Sequence, residues 1–242
     1  MTAECSLKLS KRLKHLDQMV GSGYSHIWDC CCDHGFLGMT LLSRQAAEHV
    51  HFVDIVPKLM QEVTANLQRF YSHSISQWHT HCIDVATLPL QQYQGRHLVI
   101  IAGVGGDLMM QFVEQIHTAF PQLAIDFLLC PVHHHYALRQ TLIKLDFSLY
   151  KETLVEDNQR IYEILLVSSA PDKTRKIHAV GEFIWQPNCE EQSLVAIKYL
   201  ARILEHYRRM QQSKDVTHIV RAYQAVTIEY AEVTERCHCI AN

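Results

Sequence analysis

No apolar run in this 242-residue chain approaches the roughly 18 residues that span a membrane, so no membrane-embedded segment is expected. An excess of one charge is missing too. Lys and Arg total 22 against 25 Asp and Glu, a formal charge of -3. That balance removes any global nucleic-acid signature and leaves RNA contact to local basic patches. The opening residues show no signal-peptide pattern, and no repeat or low-complexity tract appears. No Gly-Lys-Ser/Thr follows a glycine cluster, which excludes a P-loop.

What is present suits a packed protein. Apolar residues make up 48% of the chain, enough for a core, and the length fits one large domain or one domain with an appendage. Three of the nine cysteines are consecutive, and neighbours in sequence rarely have the geometry to bridge each other. Reduced thiols in a cytoplasmic protein are the expectation.

Apolar runs and helical periods alternate along the first two thirds. Strands are expected at 25–30, 49–54, 78–83, 97–102 and 124–130, and helices at 7–20, 35–46, 57–70, 106–118 and 135–145. That order predicts an α/β protein with a mainly parallel sheet covered on both faces. Residues 147–155 and 159–167 then read as a hairpin turning at Asp157-Asn158, which adds an antiparallel strand. A parallel sheet ending in such a hairpin is the layout of Rossmann-like methyltransferases.

After Pro171 the pattern becomes helical. Leu194, Ile197, Ala201 and Leu204 repeat with helical spacing, as do Val216, Ile219, Tyr223, Val226, Tyr230 and Val233, with Asp215 placed to cap the second helix. The expected division is residues 1–170 for the α/β domain and 171–242 for an antiparallel helical hairpin with a coiled-coil seam.

The chemistry concentrates at strand ends. Asp29-Cys30-Cys31-Cys32-Asp33-His34-Gly35 lies on the first strand-to-helix turn, where doubly wound sheets bind cofactors. Two carboxylates there are wrong for a phosphate, which wants amide N–H groups and positive charge. They suit a ligand with ammonium and sulfonium groups, as in S-adenosylmethionine. Asp54 closes the second strand and can accept both hydroxyls of a ribose. Asp84 follows the third and can accept from an adenine amino group. Ala102, Gly103, Gly105 and Gly106 follow the fourth, where glycine lets backbone approach a ligand. Glycines there, and none early in the first turn, disfavour a nicotinamide dinucleotide.

No metal is expected. His133-His134-His135 and Cys237-His238-Cys239 lack paired ligand sets at zinc spacing. The cysteine triplet fits small buried residues, since neighbouring carboxylates oppose a thiolate. Lys198, Arg202 and Arg209 share a side of the first C-terminal helix. With Lys11 and Arg12 of the first helix, they are the candidate RNA-positioning residues, working through phosphate contacts.

Leu9-Ser10-Lys11-Arg12-Leu13, Asp33-His34-Gly35-Phe36-Leu37, the run Ile100 to Gly106, Glu156-Asp157-Asn158 and Ile161-Tyr162-Glu163-Ile164 occur in order across residues 7–167. Together they resemble the bacterial tRNA (adenine-22-N1)-methyltransferases of the TrmK type. The resemblance implies a SAM-dependent enzyme acting on tRNA. It implies that Asp29, Asp33, His34 and Gly35 flank the methionine end of the cofactor, with Asp54 on the ribose and Asp84 on the adenine. The glycine loop then faces the target base, and Asp33 is the catalytic candidate. Two positions depart from the family pattern: Cys31 replaces a glycine of the first turn, and Cys130-Pro131-Val132 replaces Gln-Pro-Asn. A non-catalytic RNA-binding relative and a methyltransferase for a small molecule or protein are the competing readings.

Overall fold

Alternating strands and helices assemble as the patterning predicts, in a computed structural model that describes residues 9–228. Strands β1 (Tyr24–Cys30), β2 (Ala47–Asp54), β3 (Gln77–Cys82), β4 (His97–Ala102) and β5 (Ile125–Cys130) run parallel. Strand β7 (Arg160–Ser168) lies antiparallel to β5, and β6 (Ser148–Asp157) pairs with β7 at the edge. The sheet order is β3-β2-β1-β4-β5-β7-β6. The connections therefore diverge between β1 and β4, and that switch point opens a crevice at the carboxyl ends of the strands.

Both faces are covered. Neighbours in a strand point to opposite sides, so Ile27 and Trp28 seed different cores. Ile27, Leu98, Ile100 and Leu128 pack with Leu16 of α1 (Lys11–Met19) and with Leu37 and Leu41 of α2 (Phe36–Ser43). Trp28, Val99, Phe127 and Leu129 pack with Met109 and Val113 of α4 (Gly106–Ala119) and Leu138 of α5 (His135–Lys144). Helix α3 (Pro57–Phe70) seats Met60, Val63 and Leu67 near Phe52.

The second face of the sheet carries a chain of imidazoles. His26, His51 and His97 are buried, and His49, His79 and His81 are half-buried. The His26 Nε2 atom lies 3.0 Å from the Gln94 carbonyl, which only accepts, so Nε2 carries the proton and Nδ1 is bare. His51 Nε2 then donates to His26 Nδ1 at 3.1 Å, and His81 Nε2 donates to His51 Nδ1 at 3.0 Å. His97 follows the same logic, donating to the Tyr93 carbonyl and accepting from the Trp28 indole N–H at 3.2 Å. Two backbone carbonyls thus set the tautomers of four neutral rings.

The hairpin turns one residue later than its sequence suggests. Asn158 and Gln159 hold φ of 49° and 63°, and Asp157 pairs with Arg160, so those two are the central residues of a type I′ turn. Leu129 opposes Leu165, which leaves the tip of the hairpin roughly 17 Å beyond the end of β5 at the rise of an extended strand.

Helices α6 (Glu190–Met210) and α7 (Thr217–Gln224) form the C-terminal pair, and the Asp215 carboxylate accepts from the Thr217 amide at 3.2 Å. The coiled-coil seam is not observed. Leu194, Ile197 and Ala201 are exposed, whereas Val195, Ala196, Tyr199 and Tyr207 are buried. The buried stripe faces Leu154, Trp185, Ile219 and Tyr223. Helix α6 therefore packs on the edge hairpin as well as on α7, which turns its inner face away from the expected row. Val226 lies past the end of α7, and Tyr230 and Val233 fall outside the described residues. A fully buried Arg139 joins this region to the sheet, pairing with Glu152 at 2.6 Å and Glu163 at 2.8 Å. Glu163 also accepts from the Tyr199 hydroxyl.

Candidate active site

The first turn is built from left-handed backbone. Cys31, Asp33 and Gly35 have φ of 55°, 52° and 71°. Cys31 thus occupies the conformation that glycine favours, at a strain of about 1–2 kcal/mol. Its side chain packs against the apolar cluster around Trp28 and Val85. Burial, with Asp54 next in weight, pushes its thiol up to about 12, which leaves it protonated.

Asp29 and Asp54 lie below that turn. The Asp29 carboxylate accepts from the Gly38 amide, and burial, opposed by that amide and aided by Asp54, pushes its pKa up to about 7. Asp54 is buried at the end of β2, its two oxygens accepting from the Asp33 amide at 3.2 Å and the Val56 amide at 3.0 Å. It braces the first turn against the second. Each oxygen has a further lone pair for a hydroxyl.

Asp33 and His34 face outward instead. The Asp33 side chain is 70% exposed, with His34 Nε2 at 3.7 Å. Asp84 is exposed, and its carboxylate accepts from the Ala86 amide at 2.9 Å, starting the short 3-10 turn Val85–Thr87.

Ala102 ends β4, and the glycine loop is bound to the segment after β5. Gly103 N–H donates to the Cys130 carbonyl, Val132 N–H to the Val104 carbonyl and Gly106 N–H to the His133 carbonyl, at 3.0–3.2 Å. A methyl on Gly105 would lie 2.6 Å from the His133 ring, and one on Gly106 would lie 2.5 Å from the His133 carbonyl. Both glycines are needed for this close approach. The histidine triplet, which lacks zinc spacing, directly follows Cys130-Pro131-Val132, the segment expected to line the target-base side. The structure brings exposed His133 and His134 to the rim of the site, His134 Nδ1 lying 2.8 Å from Asp107. Their position after a strand end was the available signal.

The expected RNA-positioning residues divide. The Lys198 ammonium pairs with Glu156 at 2.8 Å, and the Arg202 guanidinium donates to the Gln159 carbonyl at 2.8 Å. Both hold α6 to the hairpin tip, and Lys198 keeps the Glu156 carboxyl below its usual range. Arg209 is exposed beside Glu205, and Lys11 is exposed. Arg12 turns inward, its backbone N–H on the Asp157 carboxylate at 3.3 Å and its guanidinium 5.1 Å from the Tyr162 ring centroid.

For S-adenosylmethionine the donor set fits: a buried carboxylate with spare lone pairs at the second strand end, a second carboxylate under the first turn, and glycine-cleared backbone after the fourth. Among the described residues no three His, Cys, Asp or Glu side chains group to hold a metal ion, and no helix is long and apolar enough to cross a membrane. Cys237-His238-Cys239 lies outside the described residues.

A family model described as a methyltransferase domain matches residues 9–165. A comparison with curated proteins gave no match. Among solved structures, Streptococcus pneumoniae Sp1610 in complex with S-adenosyl-L-methionine superposes with a TM-score of 0.70 at 20% identity, covering 90% of this chain and 98% of that one. The M. capricolum TrmK complex with S-adenosyl-homocysteine gives 0.67 at 16% identity, over 89% and 93% of the two chains. The B. subtilis m1A22 tRNA methyltransferase TrmK gives 0.62 at 20% identity, over 90% and 94%. At these identities the likeness is one of fold.

Proposed function

The chain belongs to the methyltransferase domain family, and from that premise we propose that it moves a methyl group from S-adenosylmethionine to N1 of an adenine in tRNA. The observation that carries the reading is the convergence of Asp29, Asp54 and the Gly103–Gly106 loop at the β1/β4 switch point. The shared fold with solved tRNA methyltransferases supports the acceptor.

In this reading Asp54 takes the ribose hydroxyls and Asp84 the adenine amino group. Asp29, Asp33, His34 and Gly35 flank the methionine end, and Ala102 to Gly106 wall the side of the target base. The cofactor, when bound, supplies an electrophilic methyl on a sulfonium. Adenine N1 carries a lone pair, so the protein needs no base to deprotonate it. Its work is alignment of the acceptor and an environment that tolerates positive charge arriving on the base. Asp33, solvent-facing at the first turn, is the carboxylate assigned to that charge. The adenine leaves its stack to reach the site. Residues 1–170 are assigned the catalytic part and 171–242 an appendage built on α6 and α7, acting on tRNA in the cytoplasm.

The preserved turn at Cys31 argues against a decayed pocket, because its backbone holds the angle a glycine would take. Methyl transfer from labelled S-adenosylmethionine to unmodified tRNA, with nucleosides resolved by mass spectrometry, tests the reading. A 1-methyladenosine peak is expected. Cofactor binding without transfer to tRNA would redirect the acceptor to a small molecule or protein.

A further inference from the structure

The fully buried arginine of this fold is paired with acids, and exposed arginines at the sheet's other end are paired too. Arg139 lies between Glu152 and Glu163, Arg96 is on Asp126 at 2.6 Å, and Arg44 is on Asp17 at 2.7 Å. Arg12 is different. It is half-buried, yet among the described residues no carboxylate lies within 4.0 Å of its guanidinium. Its neighbours are the Tyr162 ring, the Cys130 thiol and Gly103. A methyl at Gly103 would sit 3.3 Å from Arg12 Nη1, so the glycine leaves room for the fork.

The stem is fixed as well. The Ser10 hydroxyl accepts from the Leu13 amide to cap α1, and Asp157 at the hairpin tip accepts from the Arg12 amide. The side chain is thereby aimed at the end of β4, beside the crevice. A partly desolvated cation without a counter-charge is costly, and a bound anion would relieve that cost.

We propose that Arg12 is the anion seat of the active site, placed to take a two-oxygen anion through its guanidinium fork. A guanidinium has five donors and no acceptor, and it matches carboxylate or phosphate with paired hydrogen bonds. Under the methyl-transfer reading, on which this rests, two ligands carry such an anion into the crevice. One is the α-carboxylate of the cofactor, and the other is the phosphodiester of the target nucleotide. The target base itself is not the partner, because N1 methylation makes it positive.

The test compares wild type with Arg12→Ala and Arg12→Lys. Calorimetry measures binding of S-adenosylmethionine and its decarboxylated analogue, and unmodified tRNA transcript is titrated at several salt concentrations. If the carboxylate is the anion, Arg12→Ala weakens S-adenosylmethionine about tenfold or more, while the decarboxylated analogue binds both proteins alike. If the phosphodiester is the anion, both cofactor forms bind unchanged. The tRNA affinity then falls about tenfold and the salt slope shrinks by about one. Arg12→Lys keeps the stem and the charge but not the fork, so it recovers the salt slope and only part of the affinity. It also serves if the alanine variant does not fold. Folded variants that bind cofactor and tRNA like wild type overturn the seat alone. A wild-type protein that binds neither ligand overturns the methyl-transfer reading, and the seat with it.

Discussion

The Asp29 carboxylate accepts a hydrogen bond from the Gly38 amide at 2.8 Å, and a methyl on Gly38 would lie 2.9 Å from that same oxygen. Strand and helix therefore meet through one buried acid and one glycine. The acid is held where burial penalises its charge. Such a group serves a ligand better than it serves the fold.

Asp29→Asn keeps the acceptor for Gly38 and removes the ionisable group. A folded pKa raised to about 7 means the folded state holds its proton longer than the unfolded one. The stability tied to that proton is present at low pH and is lost as pH rises from about 4 to about 7. Denaturant unfolding at pH 8 is expected to show the variant more stable by about 1–3 kcal/mol, with no gain at pH 4. Its affinity for S-adenosylmethionine is expected to fall, because the ammonium group loses its counter-charge.

Asp54→Ala removes the brace between the first and second turns. Loss of hydrogen bonds to a charged group corresponds to about 1–3 kcal/mol. Cofactor affinity is expected to drop by that amount in calorimetry. Unchanged affinity in a folded variant would dismiss Asp54 as the ribose acceptor.

Cys31→Gly replaces a strained residue by the one its backbone angle suits. Relief of about 1 kcal/mol of strain is offset by greater freedom in the unfolded chain. Stability is expected to stay within about 1 kcal/mol, and cofactor affinity within about threefold. A tenfold gain in affinity would show that the thiol crowds the pocket.

The imidazole chain gives stability a pH dependence of the opposite sign. Burial lowers the pKa of His26, His51, His79, His81 and His97 in the folded protein. Their contribution is complete above the unfolded value near 6.5 and is lost as pH falls below it. The unfolding free energy is expected to fall between pH 7.5 and pH 5.5, with the deeply buried His51 contributing most. Unfolding free energies at pH 7.5 and 5.5, measured in the Asp29→Asn background, separate this loss from the Asp29 effect. Equal stability at both pH values would contradict the buried, neutral rings.

Arg139→Met leaves Glu152 and Glu163 buried without their cation. Burial opposes the Glu163 charge, yet Arg139 and His135 hold its carboxyl below the usual range. Breaking such a pair costs about 3–5 kcal/mol, expected as a lowered denaturation midpoint.

The sheet was legible because buried parallel strands are short apolar runs between helical periods, and their ends moved by no more than two residues from 49 to 47 in β2. The C-terminal helix was legible as a helix but not as a surface. A 3.6-residue period admits two apolar rows on α6, and only contact with Trp185 and the hairpin selects Val195, Ala196 and Tyr199 over Leu194 and Ile197. The histidines of β2 and β3 alternate as His49-x-His51 and His79-x-His81, so their sharing of a face was readable. Their partnership across strands was not, since it depends on register. Arg12 was legible as a basic candidate on the first helix, but its inward course was not, because that depends on the hairpin tip that accepts from its amide.

The three backbone hydrogen bonds that join the glycine loop to the segment after β5 have a mechanical meaning. Two loops bonded in this way hold each other's backbone in register, so neither moves without breaking bonds to the other. Under the methyl-transfer reading, the wall assigned to the target base works as an anvil of fixed shape, and adjustment on docking falls to the incoming nucleotide.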